Sequence, residues 1–205
     1  MVIIKLTLKQ ATLLIKYARR IIEDHFRDNV PNINDFISKD MQDIVSRESA
    51  VFLTLMKYPS MSIRGSTGHI LPILSLGDAI RESAIEAAFK SIGRPPLTKS
   101  ELNDTIMELS ILKRPSMIKV KNIEEYPKMI NIGRDGIAVE RGYIRVLLLP
   151  QIPVIRRWNS RQFLSFALIK AGINPLHINN KVRIYKFQAQ VFREKTPDGE
   201  VIEIT

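Results

Sequence analysis

Residues 50–69 read "AVFLTLMKYPSMSIRGSTGH", and the two halves of the stretch are built differently. The first, "AVFLTLM", is an unbroken apolar run of strand length, which predicts a β-strand covered on both faces. The second, "IRGSTGH", gathers Arg64, Gly65, Ser66, Thr67 and Gly68, and predicts a loop leaving that strand. Such a loop can turn backbone N–H groups and hydroxyls toward an anion, with Arg64 as a bidentate fork. The alternative is a sharp turn in which Arg64 bonds only to backbone carbonyls. The spacing fits neither a Walker loop nor a Gly-x-Ser-x-Gly elbow, because Gly65 directly precedes Ser66.

Outward from this stretch, "TLKQATLLIKYARRIIEDHF" sets Thr7 three residues before Gln10, a capping box. It then places Ala11, Leu14, Ile15, Ala18, Ile21 and Ile22 on one face of an amphipathic helix. A short helix is expected over residues 34–41. "LSLGDAIRESAIEAAFK" predicts a helix with Leu76, Ala79, Ile80, Ala84, Ala87 and Ala88 inward, stopped by Gly93 and two prolines. Its alanines imply close packing on a sheet. "TIMELSILK" alternates, so Ile106, Glu108, Ser110 and Leu112 share one strand face and Met107, Leu109 and Ile111 the other. "GIAVERGYIRVLLL" reads as a hairpin turning at Arg141 and Gly142, and "LLPQIPV" as a stretch leaving the sheet through its prolines. A helix follows from Asn159 with Gln162 three residues on and Gly172 at its end, then one strand, "KVRIYKFQAQVF", the turn "TPDGE" and a short tail. Helices and strands without a βαβ cadence predict the α+β class, with a largely antiparallel sheet flanked by helices.

Composition narrows the chemistry. The 205 residues, 45% of them hydrophobic, suffice for one domain with a real core. Without cysteine there is no disulfide, thiol catalysis or iron–sulfur ligation, and His25, His69 and His177 are too scattered to suggest a metal site. No cofactor is expected. The chain has no apolar run near a membrane span's length and no signal-peptide pattern at its start, so a cytoplasmic protein with no membrane contact is expected. Residues 110–195 hold 17 Lys and Arg against 5 Asp and Glu, a net of +12, against −2 for the rest. That asymmetry fits a polyanion or anionic ligand, or equally a heat-adapted surface.

Other candidates carry two readings each. Glu108 beside Ser110 is a pocket acid or the ion-pair partner of an arginine such as Arg64, the second being favoured. Gln151, between the prolines of "LPQIP", presents an amide to a ligand or satisfies nearby backbone. Trp158 suits a staple or core role, and Lys170 a helix C-terminus. No nucleophile, base and orienting acid can be assembled around Ser66, so no catalytic constellation is identified.

Taken together, "RGSTG", "PPLTKSEL", "MELSIL", "IGRDGIAV", "LLLPQIPV" and "FLSFALIKAGI" resemble, in order and spacing, the AMMECR domain family over about residues 7–201. That family is named after the human candidate protein for a syndrome of Alport nephropathy, midface hypoplasia and elliptocytosis. Archaeal relatives are free-standing domains of about this size, and the chain looks like an archaeal member. The resemblance implies one α+β domain, residues 1–205, with two unequal lobes around a cleft, and no settled activity. It also implies a pathway shared with Memo-type and radical S-adenosylmethionine proteins as partners. Arg64, Gly65, Gly68, Glu108, Ser110 and Gln151 match the family's pattern. The departures are Ser66 for the family's cysteine, "SIGR" before the prolines, Asp135 for a histidine, and Ile155 for an acidic residue. The expectation is a pocket protein binding a small anion or a pathway partner at Arg64 to Gly68, Glu108, Ser110 and Gln151. The alternatives are an RNA-binding module using the basic half, and a scaffold without chemistry.

Overall fold

Helix α1 (Leu8–His25) begins at the expected capping box, in which Gln10 N–H donates to Thr7 Oγ1 at 3.3 Å and Thr7 N–H to Gln10 Oε1 at 2.8 Å. All six residues assigned to its inner face are buried. The computed structural model describes residues 4–29, 31–91, 93–178 and 181–204. Instead of one helix over residues 34–41, two 3-10 turns (Ile33–Asp35 and Lys39–Met41) lead into α2 (Gln42–Ser46). The Asn32 side chain accepts from Asn34 N–H and so starts a tight turn that ends at Phe36.

The chain divides into two compact units, residues 1–112 with 190–204, and residues 113–189. The first holds a sheet ordered β2-β1-β3-β8-β9, from β1 (Ala50–Lys57), β2 (Ser62–His69), β3 (Thr105–Leu112), β8 (Ala189–Glu194) and β9 (Val201–Glu203). Pairings of β1 with β2 and β3, and of β8 with β9, are antiparallel. Helix α3 (Leu76–Phe89) joins α1 in a core with Leu53, Leu55, Met107, Leu109 and Phe192, and its six predicted inner residues are all buried. Inside this unit Arg19 forms a buried bidentate pair with Glu194 (3.1 and 2.6 Å), whose carboxylate also accepts from Met107 N–H at 2.8 Å. The pair ties α1 to β3 and β8. Removing one partner of such a pair would strand a charge.

The second unit holds a sheet ordered β4-β7-β5-β6, from β4 (Ser116–Met117), β5 (Gly136–Arg141), β6 (Ile144–Leu148) and β7 (Val182–Phe187). It is antiparallel throughout its registered pairs. Helix α6 (Ser160–Lys170), capped by Asn159 and Gln162 as expected, buries Phe163, Leu164, Ala167 and Leu168 against Ile137, Val139 and Ile184. Trp158 packs on Phe166, ring centres 4.7 Å apart.

The α+β class and antiparallel pairing are as expected, with two sheets in place of one. Three further local expectations need correction. The "IRGSTGH" stretch is strand β2 and not a loop. "LPQIP" forms the short helix α5 (Gln151–Ile155), since prolines before and within a first turn remove N–H groups that have no helical partner there. The last long strand is two, because Gln188 separates β7, paired to β5, from β8 in the other sheet, and the tail supplies β9.

Gly65 and Gly68 are glycines for want of space. A Cβ at Gly65 would lie 2.0 Å from the Ala87 carbonyl oxygen on α3, and one at Gly68 2.0 Å from the Val51 carbonyl oxygen. Gly65→Ala must push α3 off the sheet, so its urea midpoint should fall by an amount worth about 1–3 kcal/mol. An unchanged midpoint would show that α3 is not seated as described.

Candidate functional site

The β1–β2 register runs Leu55↔Gly65 and then Met56↔Ile63, so Arg64 is the extra residue of a bulge. A bulge re-aims its side chain. Arg64 and Gly65 are therefore both buried, although they are neighbours in a strand. The Arg64 guanidinium donates to Glu101 Oε1 (2.9 Å) and Oε2 (3.1 Å) and to the carbonyls of Pro95 (3.0 Å) and Pro96 (3.2 Å). Glu101 is the capping-box residue of α4 (Lys99–Asn103), accepting from Thr98 N–H at 3.0 Å. Of the two readings of Arg64, its bonds follow the second, with a carboxylate added to the carbonyls. Its partner is Glu101, and Glu108 pairs instead with Arg193.

Thr67 is on the helix side, where its hydroxyl donates to Glu86 on α3 at 3.2 Å. On the opposite face of the sheet the register aligns Ser66, Thr54 and Glu108 across β2, β1 and β3, and Gly68, Phe52 and Ser110 one rung along. Thr54 and Ser66 hydroxyls lie 2.8 Å apart. Arg193, on β8, reaches Glu108 Oε2 with Nη1 at 3.5 Å, long for a charge-assisted bond. Ser66 is exposed, Thr54, Glu108 and Ser110 are buried, and Arg193 is half-buried. The Ser110 hydroxyl has no hydrogen-bond partner among the described residues. Such a group costs about 1–3 kcal/mol that packing alone gives no reason to retain.

Ser66, Glu108 and Ser110 thus share one face, whereas Arg64, Gly65 and Thr67 look toward α3 and α4. Gln151 belongs to the other unit, buried in the first turn of α5. Thr54 and Arg193 escaped the sequence reading. Thr54 is visible as the one hydroxyl inside "AVFLTLM"; Arg193 gives no local sign, since its contact spans 85 residues of chain. Asp135, in place of the family's histidine, accepts from Asn131 N–H (3.0 Å) and Nδ2 (3.2 Å) and so holds a turn. Among the described residues no group of three or more His, Asp and Glu is placed to hold a metal, and no helix is long and apolar enough to cross a membrane.

The structure is thus that of an α+β protein of two antiparallel sheets, one carrying a row of hydroxyls, a carboxylate and a guanidinium. The chain belongs to the AMMECR1 family, whose profile matches residues 15–192. It is 39% identical over 199 residues to Protein MJ0810 of Methanocaldococcus jannaschii, covering 97% of this chain and 96% of that one. It is also 39% identical over 201 residues to Protein MK0488 of Methanopyrus kandleri, covering 97% and 95%. Its fold matches the crystal structure of the uncharacterised protein PH0010 from Pyrococcus horikoshii, with a TM-score of 0.84 at 33% identity over 94% and 95% of the two chains.

Hydrogen bonds from Arg64, joined by the Thr98 N–H, hold the Glu101 carboxyl down to about 2 from an ordinary 4.5. A depressed carboxylate stabilises the fold above its unfolded value, and that contribution is lost as pH falls from 4.5 toward 2. Arg64→Ala should therefore lower the urea midpoint at neutral pH and flatten its fall across this acid window. A variant with unchanged stability and the wild-type acid profile would put Arg64 outside the frame.

Proposed function

We propose that this protein binds a small anionic ligand on the polar face of the first unit's sheet, with Arg193 as the cation. The observation that carries this reading is the buried, unpartnered Ser110 hydroxyl, one rung from Glu108 on the same face of β3. Glu108 holds Arg193 through one N–H, Ser66 and Ser110 offer hydroxyls, and Thr54 orients Ser66. Arg64, Gly65, Thr67 and Gly68 build the frame around this face, and Gln151 is assigned no part in it.

Binding suits the row better than covalent catalysis. The neighbour of Ser66 is another hydroxyl, which cannot take its proton as an imidazole or carboxylate would. The family resemblance adds a place beside Memo-type and radical S-adenosylmethionine proteins; co-purification under mild conditions is the check on that part.

Calorimetric titration with inorganic phosphate, succinate and citrate tests the site. Arg193→Ala should weaken the binding anion by about 10-fold or more, the worth of a hydrogen bond to a charged group. Ser110→Ala should weaken it too while leaving thermal stability equal or higher by up to about 1–3 kcal/mol, because an unsatisfied buried hydroxyl is removed. Binding that survives Arg193→Ala, or no binding of any of the three anions, overturns the reading.

A further inference from the structure

The two units do not share the protein's charge. Residues 113–189 carry 15 Lys and Arg against 4 Asp and Glu, a net of +11, while the remaining residues hold 16 against 17. Heat adaptation uses charge as networks of both signs. Four carboxylates cannot supply fifteen cations, and two of the four, Asp135 and Glu140, already have arginine partners. The excess is unexplained by internal pairing.

It also has a geometric focus. Across β7, β5 and β6 the register aligns Arg183, Glu140 and Arg145 in one row. Arg145 pairs with Glu140 at 2.5 Å, and both arginines are exposed. The row adjoins the tight turn between Arg141 and Ile144, where Gly142 takes φ +60° and Tyr143 is exposed at 109% of its reference area. The antiparallel hairpin thus holds an aromatic ring in solvent next to a row of two exposed arginines on one face of the sheet.

We infer that this hairpin end binds single-stranded nucleic acid, a base stacking on Tyr143 while Arg145 and Arg183 neutralise phosphates. Stacking on an aromatic ring plus backbone neutralisation is the physics of sequence-tolerant single-strand binding. An acidic peptide would satisfy the arginines but has no π-face for Tyr143. A bilayer would want several apolar residues at the tip, where Tyr143 and Ile144 stand among cations.

Fluorescence anisotropy of a labelled oligo-uridylate of about 20 nucleotides, titrated with the full chain at about 50 and about 200 mM salt, tests this. For two phosphates and a single-strand slope of about 0.7 per contact, affinity should fall roughly 7-fold between the two salts. With Arg145→Ala and Arg183→Ala combined, both contacts are removed and the fall between the two salts should all but vanish. Tyr143→Ala should weaken binding at least about 5-fold at either salt, leaving the salt dependence intact because stacking carries no charge. Tyr143 is fully exposed, so its variant should melt with the parent, which separates lost binding from lost fold. Absence of binding at the lower salt overturns the inference. So does salt-steep binding indifferent to these substitutions, or competition by polyglutamate as effective as that by unlabelled oligonucleotide.

Discussion

The first unit is organised by how closely α3 approaches β2. With the Ala87 carbonyl oxygen 2.0 Å from where a Cβ at Gly65 would be, the helix rests on the backbone of the strand itself. Several features depend on that seating. The alanines of α3 are small enough to allow it, and the bulge at Arg64 bends the strand beneath it. The bulge also decides which way the neighbouring side chains point. Arg64 turns inward to clamp Pro95, Pro96 and Glu101, and two residues later Ser66 faces the other side of the sheet.

This arrangement gives physical meaning to the motifs that carry the family resemblance. "RGSTG" and "PPLTKSEL" are joined by the hydrogen bonds of Arg64, so both describe one piece of architecture. "MELSIL" contributes a different kind of residue, for Glu108 and Ser110 are buried polar groups on the face away from α3. Ser66 in the cysteine position keeps a small polar atom there. Its hydroxyl, bonded to Thr54, serves hydrogen bonding well and thiolate chemistry not at all.

The two units present different surfaces. In the first, charges are nearly balanced and largely used internally, in Arg19 with Glu194, Arg64 with Glu101, and Arg193 with Glu108. The second carries the protein's whole excess of positive charge, and the hairpin of its small sheet reaches into solvent. A buried polar row suits a small ligand that replaces water at close range, and an exposed cationic hairpin suits a long polyanion.

The three long helices, α1, α3 and α6, were legible in the sequence because their information is local. The capping boxes at Thr7 and Asn159 and the spacing of Leu14, Ile15, Ala18 and Ile22 lie within a few turns of one another. The β5–β6 hairpin was legible for the same reason, with Gly142 placed between two alternating runs. Strand β2 was not, since Arg, Gly, Ser and Thr carry a loop's propensities and are held in a strand by β1 on one side and by α3 above. Glu108 and Ser110 could be placed on one strand face from alternation, but their surroundings could not. Arg193 comes to Glu108 only because the chain, after the whole of the second unit, returns to complete the first unit's sheet. Sequence by itself determined the class, the three long helices and the uneven charge, all of which follow from near neighbours and composition. The tertiary structure alone decided that Arg64 braces the fold and that Arg193 and Thr54 join Ser66, Glu108 and Ser110, because those contacts depend on strand register and a bulge.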